Sequence, residues 1–392
     1  MKLKRFAGML AMLCFALGTA WAGSKTFQAA PKPGQSIIEV VFVLDTTGSM
    51  GGMIQAAKDK VWSIVASLGS ATPAPLIRVG LVAYRDRGDE YITKRVDLST
   101  DVDAFYAVLM KLEANGGGDE PESINQALNE AVTLMSWSNS SDAYKVIFLV
   151  GDAPPHMDYK DDVKYPETCK LAQAAGVLIN TIQCGNEADT VAPFQDIAGK
   201  SGGDYFQIEH EGGAVVIPTP YDGKIGALSR EVNGTMFYYG DEETKTAAGI
   251  GIDSLNVVFA LAPTSALADR ADFDATVAGK ERLRGTNELL YDIENNKVKL
   301  KDIPAKELPE NMQKMTPNER EKYVKEQLAK RKALNEQLAV LSKQRQVFLQ
   351  KEAAKTPAVQ SSFDYQILKC IRQQAAKKKI KIKSSVTAPE KK

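Results

Sequence analysis

Histidine is nearly missing from this sequence: 392 residues hold two, His156 and His210. No Ser-His-Asp set can be assembled from them, which excludes triad hydrolysis. Net charge is missing too, with 49 Lys and Arg against 49 Asp and Glu. No stretch interleaves aromatic with basic residues, which argues against a nucleic-acid surface. Cysteine is scarce, four in all. Beyond the first two dozen residues no apolar run approaches the roughly 20 residues that a membrane-crossing helix needs.

The early run, Phe6 to Leu17, follows Lys2, Lys4 and Arg5, and Ala20-Trp21-Ala22 fits a small-x-small cleavage site. Residues 1–22 are therefore expected to be a signal peptide, with the chain exported to a periplasmic or secreted location. Cys169, Cys184 and Cys370 then remain, an odd count. Charge is unevenly spread: Thr316 to Lys392 holds 19 Lys and Arg against 7 Asp and Glu. This basic end could bind an acidic surface or dock on the acidic front of its own chain.

Residues 37–45 (IIEVVFVLD) read as a strand buried on both faces, as in a parallel sheet. In residues 52–68, Ile54, Ala57, Val61, Ile64, Val65 and Leu68 form one helical stripe. IRVGLVAY, YKVIFLVGD and LINTIQCG are further strands separated by helical segments, and KRVDL (94–98) is a short edge candidate. Such alternation predicts an α/β fold, a doubly wound, mostly parallel sheet over residues 36–236, closed by a helix at 221–233. Residues 237–315 read as a mixed connecting region in which KVKLKDI alternates like a strand. Residues 316–384 read as a helical carboxy-terminal region, and 385–392 as a disordered tail. Thr316-Pro317-Asn318-Glu319 is a capping box opening a long helix without glycine or proline. Its Leu334, Leu338, Leu341 and Phe348 follow a 4,3,7 spacing broken by Arg345, which suits a helix packed on the α/β domain better than a coiled coil.

Ligands of doubly wound sheets bind at the carboxyl ends of the strands. Two very apolar strands end there in aspartates, Asp45 and Asp152. Asp45, Thr47 and Ser49 follow at alternate positions, so their oxygens can converge. Gly116-Gly117-Gly118-Asp119 forms a loop whose glycines permit close backbone approach. Five hard oxygen donors from three loops suit Mg²⁺ with retained waters.

DTTGS (45–49), GGGD (116–119) and the strand-end Asp152 resemble the metal-ion-dependent adhesion site of von Willebrand factor A domains, and the α/β pattern is similar to that family across residues 36–236. DTTGSM with YRDRGD, GGGDEPE and DAPPH is similar to a bacterial group of these domains, and the carboxy-terminal third with its TPNER helix looks like secreted bacterial von Willebrand A proteins. The resemblance implies a Rossmann-like fold and a divalent ion, Mg²⁺ or alternatively Mn²⁺ or Ca²⁺. It implies Thr47 and Ser49 as direct ligands and Asp45 and Asp152 acting through water. Asp119 stands where the family normally has a threonine. The implied activity is non-enzymatic: an open metal position takes a carboxylate from a protein partner. Arg85, Arg87 and His156, on neighbouring loops, are candidates for a partner-binding rim.

Other readings use the same residues. Asp45, Thr47 and Ser49 could simply cap the next helix, and Glu122 suits the first turn of its own helix as a dipole partner. A strand ending in DxTGS also looks like the Mg²⁺-dependent aspartyl-phosphate phosphotransferases, although GGGDEPE has no role there. A third possibility is an envelope scaffold acting through the long carboxy-terminal helix. Arg87-Gly88-Asp89 spells an integrin-recognition tripeptide, a coincidence expected of three common residues. Cys169 near a helix start and Cys184 at the following strand's end lie at one sheet edge, so a disulfide between them is expected.

Overall fold

The computed structural model describes residues 29–118, 120–353, 355 and 362–382. The expected signal peptide, Asp119 and the expected tail 385–392 lie outside the described residues. The first half of the chain runs β1 (Ile37–Asp45), α1 (Gly51–Gly69), β2 (Leu76–Tyr84), β3 (Thr93–Ser99), α2 (Val102–Lys111), α3 (Ile124–Thr133), β4 (Tyr144–Gly151), α4 (Tyr165–Ala175), β5 (Val177–Cys184), α5 (Ala188–Ser201) and β6 (Tyr205–Ile208). The strands form one sheet of order β3-β2-β1-β4-β5-β6. β1 pairs in parallel with β2 and β4, and β3 is the antiparallel edge. Its exposed Lys94 blunts that edge against further pairing.

Strand alternation divides the apolar residues between two cores. Ile38, Val40, Phe42 and Leu44 of β1 face α1 and α2, whereas Val41 and Val43 face α3, α4 and α5. Every residue of β1 is buried, because helices cover both faces and no position needs to be polar. The predicted stripe of α1 is buried as well.

After β6 the chain leaves the sheet. It builds α6 (Asp222–Asn233), α7 (Glu242–Leu261), α8 (Thr264–Ala275), α9 (Val277–Glu281), α10 (Leu289–Glu294), α11 (Glu310–Gln313) and the long α12 (Pro317–Ala353), then returns as α13 (Phe363–Ala376). Departure and return meet: Phe363 N–H donates to Gly212 C=O at 3.0 Å. Gly212 has φ +76°, and a Cβ there would lie 2.7 Å from Ala56 Cβ, so only glycine suits the exit turn.

α13 completes the α1/α2 face of the sheet. Phe363 packs on Phe42, ring centroids 6.4 Å apart, and Ile367, Leu368, Cys370 and Ile371 join the same core. Gln374 fixes the far end: its Oε1 accepts from Tyr144 Oη at 2.8 Å, and its Nε2 donates to Asn180 Oδ1 at 2.8 Å. The helix expected to close the sheet, 221–233, does form as α6, but its neighbours are α8 and α12. The sheet domain is thus discontinuous, residues 29–212 with 363–382, and the boundary at 236 is corrected accordingly.

The inserted helices form a body docked on α1 and α2. Residues 237–315, expected to be mixed, form helices joined by turns with an isolated bridge between Tyr238 and Glu288 and no strand among the described residues; KVKLKDI, read as a strand, makes a 3-10 turn at Leu300–Asp302. Its Val298, Leu300 and Ile303 pack with Leu289, Leu290 and Met312 instead of on a sheet. Arg270 of α8 is fully buried and donates to both oxygens of Asp103 on α2, at 2.6 and 2.8 Å. Arg345, which interrupts the leucine spacing of α12, is buried and pairs with Asp222, Asp269 and Asp272 at 2.7, 2.7 and 3.0 Å. Leu338 and Leu341 pack beside the cluster of Ile225, Ala268 and Ala271, so α12 spends its seam on its own chain.

Candidate metal centre

Asp45 ends β1 with no exposed surface. Its Oδ1 accepts from Thr47 N–H at 2.9 Å and from Thr47 Oγ1 at 2.7 Å. Thr47 Oγ1 lies 3.5 Å from Ser49 Oγ, so the alternate oxygens do face one another. These residues also precede a short 3-10 turn and α1, yet no side chain makes a capping hydrogen bond there. Asp45 Oδ2 is buried and makes no hydrogen bond of normal geometry, with the Tyr84 hydroxyl close enough to favour its charge. Gly151 makes this packing possible, since a Cβ there would lie 2.5 Å from Tyr84 Oη and 3.3 Å from Asp45 Oδ2.

The glycine loop is stitched onto the first one. Gly48 N–H donates to Gly116 C=O at 3.1 Å and Asn115 N–H to Thr46 C=O at 3.1 Å. Gly116 and Gly117 take φ +78° and +84°, and Gly117 N–H donates to Asp89 Oδ2 at 3.1 Å. The RGD aspartate is therefore turned inward to hold this loop.

Glu122 and Asp152 complete the acids. Glu122 is 3 % exposed and its Oε2 is buried without a partner. Backbone bonds fix it: its N–H donates to Pro154 C=O, and its C=O accepts from His156 N–H. Asp152 is 9 % exposed, its Oδ2 lies 3.2 Å from His210 Nε2, and its C=O accepts from Thr190 Oγ1 at 2.8 Å. Thr47, Ser49, Gly116 to Gly118, Glu122 and Asp152 share the lining of a cavity of about 450 Å³.

Electrostatics sets this place apart. Burial, reinforced by Asp152 and opposed by hydrogen bonds from Thr47 and the Tyr84 hydroxyl, pushes the Asp45 carboxyl up to about 7. Burial, then the charges of Asp45, Asp86, Asp89 and Asp152, pushes Glu122 up to about 9. Unpaired buried carboxylate oxygens are costly, and a divalent cation would satisfy such a set. Among the described residues no three His, Cys, Asp or Glu side chains are arranged as a ready cation site. The donor set here mixes hydroxyls with acids, which suits a hard, oxygen-liganded ion.

Two rim candidates are corrected. Arg85 is 4 % exposed, donates to Thr46 C=O at 3.1 Å and Glu113 C=O at 2.9 Å, and stacks on Tyr91; it braces the two loops from within. His156 is equally buried, stacked on Tyr159 at 4.0 Å with Nδ1 2.8 Å from Asp158. Arg87 is partly exposed but tied to Asp161 and Asp162 at 3.0 and 2.6 Å. Their chain positions beside the centre suggested a rim, whereas Arg85 and His156 are buried and Arg87 is engaged by two aspartates.

The expected disulfide is also corrected: Cys169, Cys184 and Cys370 are buried free thiols. Cys169 belongs to the core on the α3/α4/α5 face and Cys184 to the opposite one. β5 lies between them, so sharing a sheet edge does not bring them together. Sequence reasoning also missed His210 and the inward role of Glu122. His210 follows the carboxyl end of β6, where the strand-end rule could have found it. Glu122 sits at a helix start, where an exposed dipole partner has the same sequence appearance.

Residues 39–210 match the family model described as von Willebrand factor A domain. This part of the chain is a von Willebrand factor A domain, with the fold and strand order given above. Von Willebrand factor A domain-containing protein 7 of Mus musculus is 40% identical over 114 residues, 29% of this chain and 12% of that protein. Hemicentin-2 of Mus musculus is 27% identical over 203 residues, 51% of this chain and 4% of that protein. The chain thus spans only a small fraction of these curated relatives. Among solved structures, proximal thread matrix protein 1 from the mussel byssus, with a zinc-occupied MIDAS motif, is 19% identical with a TM-score of 0.35, over 44% of this chain and 42% of that one.

Proposed function

We propose that this protein is an exported, non-enzymatic binding module whose grip on a protein partner depends on a divalent cation. The observation that carries this is the pair of buried carboxylate oxygens without a hydrogen bond of normal geometry, Asp45 Oδ2 and Glu122 Oε2, beside the Thr47 and Ser49 hydroxyls. Thr47, Ser49 and Asp119 would bind the ion directly, and Asp45 and Asp152 through water; Glu122 supplies a further acid. Mg²⁺ suits these oxygens, with Mn²⁺ or Ca²⁺ as alternatives. The ion would supply a Lewis-acidic position for a partner's carboxylate, while Asp89, Arg85 and the glycine loop hold the hydroxyls in place. The phosphohydrolase reading is disfavoured, because the glycine loop and Glu122 that line the cavity have no role in it. The helical insertion would act as the scaffold that carries the module.

Capture of envelope proteins by the full chain, with Mg²⁺ and with EDTA, tests this reading. Capture that needs Mg²⁺ and is lost in Asp45→Asn supports it. Identical capture in all conditions refutes it and transfers recognition to the helical insertion.

A further inference from the structure

We infer that the partner's coordinating carboxylate is flanked by lysine or arginine, so that the module selects a mixed-charge segment and rejects an acidic one. This rests on the metal-dependent reading above and goes on to the chemistry of the partner. The cavity at the centre is lined by Glu120, Glu122, Asp152, Glu187 and Asp189, and no lysine or arginine lines it. An ion held at Thr47, Ser49 and Asp152 leaves the exposed Glu120, Glu187 and Asp189 uncompensated around it. An arriving carboxylate therefore meets an ion that attracts it inside a wall that repels it.

Three of those acids stand at the mouth. Glu120, Glu187 and Asp189 are exposed, and none forms an ion pair among the described residues. The ordinary explanation for Glu187 and Asp189 is that they complement the dipole of α5. Glu187 occupies the N-cap position, yet its side chain makes no capping hydrogen bond, so its oxygens are free for another donor. Glu122 points to a ligand independently: it lines the same cavity, is almost wholly buried, and leaves Oε2 without a partner. Acids arranged around a coordination position suppress wrong partners by like charge and steer partners of complementary charge. An acid bordered by bases satisfies both demands: its carboxylate goes to the ion, and its cations go to Glu120, Glu187 and Asp189. Each exposed contact is modest, and three together should change affinity roughly tenfold.

Four short capped peptides test this on the full-length protein by calorimetry, in Mg²⁺ and in EDTA. Their centres are Lys-Asp-Lys, Ser-Asp-Ser, Glu-Asp-Glu and Lys-Asn-Lys. The expected order in Mg²⁺ is Lys-flanked aspartate tightest, by about tenfold over the serine-flanked peptide, with the glutamate-flanked peptide weakest. EDTA should abolish the binding, and Glu187→Gln with Asp189→Asn should narrow the order. A separate Mg²⁺ titration of that variant separates loss of the ion from loss of the rim. Equal, EDTA-sensitive affinity for the three aspartate peptides would overturn the flanking inference and leave metal-dependent binding intact. Lys-Asn-Lys binding as tightly as Lys-Asp-Lys, or no binding by any peptide while Mg²⁺ itself binds, would overturn carboxylate coordination and this inference with it.

Discussion

The backbone N–H of Phe363 donates to the carbonyl oxygen of Gly212 over 3.0 Å, closing the sheet domain across the whole helical insertion. The helix that begins at Phe363 covers Phe42, Tyr144 and Asn180. A chain ending at residue 236 should therefore expose the α13 face of the sheet and aggregate, although it contains every strand. Removing Phe363 alone, as Phe363→Ala, should cost about 3–5 kcal/mol, as for other buried aromatics. Chemical denaturation of the full chain and of the variant measures this; a cost under 1 kcal/mol would mean that α13 is only loosely attached.

Arg270 and Asp103 join the insertion to α2 through a buried, bidentate pair. The carboxyl of Asp103 is held below its usual range: burial alone would raise it, and the charge and hydrogen bonds of Arg270 overcome that. Arg270→Met leaves Asp103 with only the longer Arg282 contact at 3.5 Å and should cost about 3–5 kcal/mol. Adding Asp103→Leu removes that charge and should recover most of that loss. Denaturant midpoints of the wild type, the single and the double variant check this, and additive losses would show that the two residues act separately.

Around Arg345 the acids outnumber the base. Burial outweighs the attraction of Arg345 and pushes the Asp272 carboxyl up to about 6, and Asp269 is raised for the same reason. The folded state then holds a proton more tightly than the unfolded chain does. The stability this contributes is present at low pH and is lost as pH rises from about 4, the unfolded value, to about 6. Asp272→Asn removes that decline. The difference in Tm between variant and wild type should be near zero at pH 4 and grow in favour of the variant, levelling above pH 7; a flat or opposite trend would contradict the raised carboxyl.

Much of this was legible in the chain because burial on both faces leaves so plain a mark. IIEVVFVLD can only be a central strand, and its terminal Asp45 falls where doubly wound sheets bind ligands. The ownership of α13 was not legible. Phe363, Ile367 and Ile371 announce an apolar face, but nothing local states which sheet it meets after a long excursion. Arg345 looked like a flaw in a leucine seam because its three acids lie in α6 and α8. Cys169 and Cys184 misled because shared edge and shared face were treated as one condition. Alternation along β5 already put Ile182 and Cys184 on one side and Ile179 on the other. Glu122 needed coordinates, since the same letter at a helix start describes both a solvated acid and a buried one.

Asp45 offers the sharpest test of the centre. Without an ion its carboxylate is buried with one oxygen unsatisfied, which costs folding free energy. Asp45→Asn removes that charge while keeping an acceptor for Thr47, so the ion-free variant should melt no lower than the ion-free wild type. Saturating Mg²⁺ should raise the wild type by a few degrees, since occupancy at a hundred times Kd adds about 2.7 kcal/mol. The same addition should leave the variant nearly unmoved. Scanning calorimetry on both proteins, in Mg²⁺ and in EDTA, reads all four states. If Mg²⁺ shifts both equally, the ion binds elsewhere and Asp45 is only a strained structural acid. If the variant melts well below the wild type in EDTA, its charge was already compensated by the protein, and the case for a bound cation falls.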